Sequence, residues 1–116
     1  YIYTHIERYR NTSCTVSLVT EDFMREKEIE QSLVKAVRAR GGTCPKLTSP
    51  GMDGMPDRLV LLPQGRMSFV EVKAPGKKPR PLQIHRHEEL RNLGFKVFVL
   101  DKFEQIGEIL DEIQSA

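Results

Sequence analysis

Two apolar runs separated by a four-residue break constrain the fold of this chain more than any other feature. Leu59-Val60-Leu61-Leu62 and Met67-Ser68-Phe69-Val70-Glu71-Val72 flank Pro63-Gln64-Gly65-Arg66. Short apolar runs around a Pro/Gly turn predict a tight pair of strands, residues 57–62 and 67–73. The first run is almost continuously apolar, which predicts a strand covered on both faces. Side chains alternate along a strand, so Glu71 and Lys73 share one face and Val70 and Val72 the other. With the turn centred between Gln64 and Gly65, Asp57 pairs near Val72. Its carboxylate then reaches the sheet end beside Glu71.

Helical patterns surround this hairpin. From Met24 to Arg40 the apolar stripe Ile29, Leu33 and Val37, with Val34 and Ala36 beside it, predicts a helix that Gly41-Gly42 ends. Residues 43–47 are candidates for a short strand, followed by an irregular loop through Pro50-Gly51 and Gly54-Met55-Pro56. A second helix opens at Pro81 and runs to Leu93, with Gly94 as its stop. Residues 96–100 form a strand, and residues 102–114 an amphipathic helix using Phe103, Ile106, Ile109, Leu110 and Ile113. The order α-β-β-β-α-β-α describes an α/β domain with a small mixed sheet between helices. Residues 1–23, rich in Thr, Ser, Tyr and Arg, read as an N-terminal extension, poorly ordered or loosely docked on a domain of residues 24–116. A strand over residues 15–19 is the alternative there.

With 116 residues, 39% of them hydrophobic and 29% charged, the chain has the material for one domain with a core. No run approaches the roughly 18 apolar residues of a membrane span. Residues 1–23 lack the apolar core of about 7–15 residues found in secretory signals. A soluble protein of a reducing compartment, the cytoplasm, is therefore expected. Cys14 and Cys44 are too few for a disulfide scaffold. His85 and His87, two apart, fall on different faces of a helix and make a poor zinc pair.

The chemistry rests on Asp57, Glu71 and Lys73. Carboxylates facing one pocket suit a hard cation such as Mg²⁺, which prefers oxygen ligands and shares phosphate oxygens. A neighbouring ammonium can hold an attacking water or stabilise a reacting phosphate. Charged groups within an apolar strand are costly unless they are used. A basic stretch follows, Lys77-Lys78-Pro79-Arg80 and then Arg86, His87 and Arg91, interrupted by Glu88 and Glu89. Such a stretch can neutralise a nucleic-acid backbone without reading its sequence. Lys77, Lys78, Arg80, Arg86 and His87, with Lys46, are the DNA-contact candidates, and Arg58 is a further one. No aromatic interleaves them, so base stacking is not expected.

Pro56-Asp57, thirteen residues, then Glu71-Val72-Lys73 resembles the PD-(D/E)xK nuclease superfamily. The longer set is similar to its VRR-NUC family, the virus-type replication-repair nuclease domain. That set comprises Gly54-Met55-Pro56-Asp57-Arg58-Leu59, Phe69-Val70-Glu71-Val72-Lys73-Ala74-Pro75-Gly76, Arg80-Pro81-Leu82-Gln83, Arg86-His87 and Leu93-Gly94. The resemblance implies a restriction-endonuclease-like αβββαβ core and a Mg²⁺- or Mn²⁺-dependent endonuclease. It implies Asp57 and Glu71 as metal ligands, Lys73 as catalytic lysine and a glutamate on the first helix. Glu26 fits that position, with Glu30 as second choice. It further implies that Gln83 orients metal-bound water or phosphate. Stand-alone members act as homodimers on branched DNA such as four-way junctions, in repair and recombination, and the same is expected here. The alternative is a nuclease-fold DNA-binding module that no longer cuts.

Overall fold

The computed structural model describes the backbone of residues 10–115 and the side chains of residues 24–115. Among the described residues the elements are α1 (Arg10–Ala39), β1 (Arg58–Leu62), a 3₁₀ turn (Pro63–Gly65), β2 (Arg66–Val72), α2 (Pro81–Asn92), β3 (Val97–Leu100) and α3 (Gln105–Gln114). The sheet order is β1-β2-β3, with β1 antiparallel and β3 parallel to β2. The parallel return to β3 needs a crossover, which α2 supplies.

The hairpin forms as its apolar pattern requires, one residue away from the expected register. Arg58 faces Val70 and Leu62 faces Arg66, so Asp57, just before β1, comes level with Glu71 rather than Val72. The shift arises in the loop. Its three residues include two successive left-handed positions, Gln64 (φ 70) and Gly65 (φ 73), where a turn centred between them was expected.

Alternation along β2 divides the molecule into layers. Val70 and Val72 join Val60, Leu62 and Leu100 on the face covered by α1 and α3. There Ile29, Leu33 and Val37 of α1 are fully buried, as are Leu110 and Ile113 of α3 or nearly so. Burying such side chains contributes about 1.5–3 kcal/mol each before entropy is counted. The opposite face, which includes Glu71, is covered by α2, whose inward residues are Gln83, His87 and Leu90. Leu59 and Leu61 on that face are only half-buried, so β1 is not covered on both faces. One helix lying toward β2 and β3 does not reach across to β1.

Three other expectations change. α1 begins at Arg10 rather than Met24, and residues 15–19 are helical rather than a strand. Extending a formed helix adds a hydrogen bond per residue, whereas an isolated strand has no partner. Residues 1–9 of the expected extension lie outside the described residues. The strand over residues 43–47 reduces to two isolated bridges, Thr43 to Leu61 and Lys46 to Arg58. Pro45 has no N–H to sustain a ladder, yet its carbonyl accepts the Leu59 N–H at 3.1 Å, and the segment covers the outer edge of β1. Phe103 precedes α3 and is 49% exposed, so it is not a core residue of that helix. No described helix is long and apolar enough to cross a membrane.

Candidate active site

Four elements bring side chains to one end of the β1–β2 pair. Asp57 is held from two sides: its backbone carbonyl accepts the Leu47 N–H at 2.8 Å, and its Oδ2 accepts the Val72 N–H at 3.1 Å. The approach to Asp57 depends on Gly54, which has φ +85 and packs so closely on α2 that a Cβ there would lie 2.8 Å from the Leu82 carbonyl oxygen. Glu71, opposite Asp57, is 1% exposed. Lys73, two residues on, lies with its Nζ 3.5 Å from Glu71 Oε2. Glu26 projects from α1 toward the end of β2, beside the Ala74 backbone, and lines one cleft with Asp57.

The electrostatics reflect crowding of like charge. Burial first, then the Asp57 carboxylate, pushes the Glu71 carboxyl up to about 8, with Lys73 pulling the other way. The neighbouring Asp57 carboxylate disfavours a second negative charge on Glu71. Glu26 is raised for similar reasons: burial, then Asp57, then Glu30, against Lys73. Carboxylates crowded at one place with raised pKa values are a setting that a cation would relieve.

The base of the site is built from α2. Gln83 Oε1 accepts the Arg80 N–H at 2.8 Å, and Gln83 Nε2 donates to Glu71 Oε2 at 2.9 Å. Only this amide orientation serves both partners, because a backbone N–H needs an acceptor. Gln83 is 5% exposed, so it acts on the Glu71 carboxylate rather than reaching out to water or phosphate. One turn along, His87 is 2% exposed, and its Nε2 lies 3.6 Å from Glu71 Oε1. Both of those atoms are buried with no hydrogen-bond partner. Burial, with Arg91 and then Lys73 nearby, lowers the His87 pKa and keeps the imidazole neutral.

The other candidates divide. Glu30, one turn after Glu26, is bound by Arg58 Nε at 2.8 Å, and Arg58 also donates to the Cys44 carbonyl at 2.8 Å. Both are committed to tying α1 to the sheet, which corrects the reading of Arg58 as a DNA contact. His87 is corrected likewise, since a buried imidazole does not reach a phosphate. Arg86 donates to the Asp53 carbonyl and to Glu89, and so fastens α2 to the loop before Asp57. Lys77, Lys78 and Arg80 are exposed beyond the end of β2. Lys46 lines an open cleft of about 340 Å³ with Glu26, Glu30 and Asp57. His85 is exposed while His87 is buried, consistent with their falling on different faces. Sequence reasoning did not find the contact of His87 with Glu71. The signal was present, because Gln83 and His87 are four apart and share a helix face.

The VRR-NUC domain profile matches residues 2–102. The chain belongs to the VRR-NUC family. It is 49% identical over 90 residues to "Putative nuclease p44" of Acyrthosiphon pisum secondary endosymbiont phage 1, covering 78% of this chain and 96% of that protein. A solved VRR-NUC domain is 36% identical and superposes with a TM-score of 0.71 over 75% of this chain and 95% of its own. The chain is therefore a nuclease by family, on the fold described above. Among the described residues no three or more His, Cys, Asp or Glu side chains form a ready-made metal cage.

Proposed function

We propose that this VRR-NUC chain is a Mg²⁺- or Mn²⁺-dependent endonuclease that hydrolyses phosphodiester bonds in branched DNA and acts as a homodimer. The observation that carries the reading is the convergence of Asp57, Glu71, Glu26 and Lys73 at one sheet end, with the carboxyl groups of Glu71 and Glu26 raised by burial and by Asp57.

The donor chemistry suits a hard divalent cation, although among the described residues no three of these groups already stand as a cage. Three carboxylates supply oxygen ligands of the kind Mg²⁺ and Mn²⁺ prefer. Burial first, and then the Asp57 carboxylate, raise the Glu71 and Glu26 pKa values against the pull of Lys73, a penalty on negative charge that a bound cation would relieve. Asp57 and Glu71 would hold the ion, with Glu26 as a third ligand. When bound, it supplies Lewis acidity toward the phosphoryl oxygen and a more acidic water.

The protein groups do the rest. Val72 N–H holds the Asp57 carboxylate, and Gln83 holds that of Glu71, so both are fixed before substrate arrives. The Lys73 ammonium, beside Glu71, stabilises negative charge developing on the phosphate. Lys77, Lys78 and Arg80 neutralise the approaching backbone. Arg80 stands at the start of α2, where the helix dipole also favours an anion.

The test is cleavage of a labelled four-way junction and of matched linear duplex, with Mg²⁺ or EDTA. Junction-selective cutting abolished by EDTA is expected. Equal cutting of both substrates would remove the branched-DNA specificity, and cutting in EDTA would remove the metal.

A further inference from the structure

Two orphaned atoms face each other behind the proposed cation site. Glu71 Oε1 and His87 Nε2 are both shut off from solvent, both lack a hydrogen-bond partner, and lie 3.6 Å apart. Buried polar atoms left unpaired destabilise a fold, and a closing movement of roughly half an ångström would bring this pair into hydrogen-bond range. A neutral imidazole carries one N–H. With the hydrogen on Nε2 both atoms are satisfied at once; with it on Nδ1 two acceptors oppose one another unless Glu71 is protonated. The other Glu71 oxygen already takes a hydrogen bond from Gln83, one helical turn before His87.

We propose that His87 is a positioning residue of the cation site: its Nε2 grips Glu71 Oε1 while Gln83 grips Oε2, so that α2 sets the orientation of the Glu71 carboxylate toward the ion. The inference rests on the cation-dependent reading above and adds to it a residue that touches neither metal nor substrate. Groups that orient a metal-binding carboxylate typically change affinity by about 10–100-fold when removed. A fault at His87 is thus read first in metal affinity.

The test is Mn²⁺ binding to the full chain by titration calorimetry, with the melting temperature of each variant recorded beside it. His87→Leu removes the donor, and His87→Asn retains an amide that is too short to reach. His87→Gln places an amide nitrogen near the position of Nε2. Leu90→Ala, on the same buried helix face, controls for loosened packing. The Mn²⁺ dissociation constant is expected to weaken by about 10–100-fold in His87→Leu and His87→Asn. It should return close to wild type in His87→Gln and stay there in Leu90→Ala, although the last melts lower. Wild-type affinity in the Asn and Leu variants, or equal weakening in Leu90→Ala, would overturn the proposal. If His87→Leu does not fold, the Asn and Gln variants decide alone, and equal affinity in the two overturns it. Wild-type protein that binds no Mn²⁺ would sink the cation-site reading and this inference together. Binding lost in Asp57→Ala but kept in every His87 variant would sink this inference only.

Discussion

At the scale of single residues, one carboxyl buried beside another governs the behaviour of the site. The Glu71 pKa, raised from the ordinary 4.5 to about 8, sets the sign of a stability effect. Between these values the unfolded chain has lost a proton that the native state keeps, so stability without metal falls as pH rises through that window. Glu71→Gln is therefore expected to stabilise the metal-free chain at pH 8, by an amount on the order of 1–2 kcal/mol after discounting for relaxation around the site. The gain should shrink toward zero at pH 5, and thermal melts in EDTA at the two pH values check it. A variant less stable at pH 8 would mean that the Glu71 charge is already compensated. The two helix glutamates should separate as well. Glu26→Gln is expected to impair cleavage with little loss of stability. Glu30→Gln should instead cost stability, by about 1–3 kcal/mol, because it weakens the grip on the half-buried Arg58. Parallel cleavage assays and melts distinguish the two, and the opposite pattern would exchange their roles. Asp57, Glu71 and Lys73 were legible in the sequence because their placement needs only a hairpin and alternation. The burial of His87 and the commitment of Glu30 to Arg58 were not, since each depends on how a helix is rotated on the sheet.

At the scale of elements, α1, β2 and α3 were legible in their inward residues. Ile29, Leu33 and Val37 recur at helical spacing, and every one is buried. The hairpin register was missed by one residue because backbone conformation in the loop, not hydrophobicity, sets it. That single residue decides whether Asp57 stands level with Val72 or with Glu71. The start of α1 was missed because Thr15, Val16 and Val19 have strand-like propensities that a continuing helix overrides. The basic segment between β2 and α2 carries its own prediction. Replacing Lys77, Lys78 and Arg80 together by alanine should weaken junction binding and flatten its salt dependence, by about 0.9 in log–log slope per lost phosphate contact. Binding measured from low to moderate salt would show it, and an unchanged slope would exclude this loop from the DNA interface.

For the whole molecule, the sheet is covered unequally. The α1–α3 side holds the apolar core, whereas on the α2 side two of the three buried helix residues, Gln83 and His87, are polar and stand against Glu71. The domain thus builds stability on one face of the sheet and its site on the other, joined at the sheet end where Glu26 reaches across from α1. The proposed homodimer predicts a mass by light scattering of roughly twice the 13.3 kDa of one chain. A single-chain mass at assay concentrations would exclude paired active sites and leave the chemistry of each untouched. The central claim is that this sheet end cuts DNA with the help of a cation. Single-turnover cleavage of a labelled four-way junction in Mg²⁺ by wild type and Asp57→Asn, with junction binding measured for both, tests it most directly. The variant is expected to keep its binding and lose cleavage by about 10³-fold or more, the equivalent of several kcal/mol of lost stabilisation. Cleavage by the variant at the wild-type rate, or tight binding with no cleavage by either protein, would contradict it.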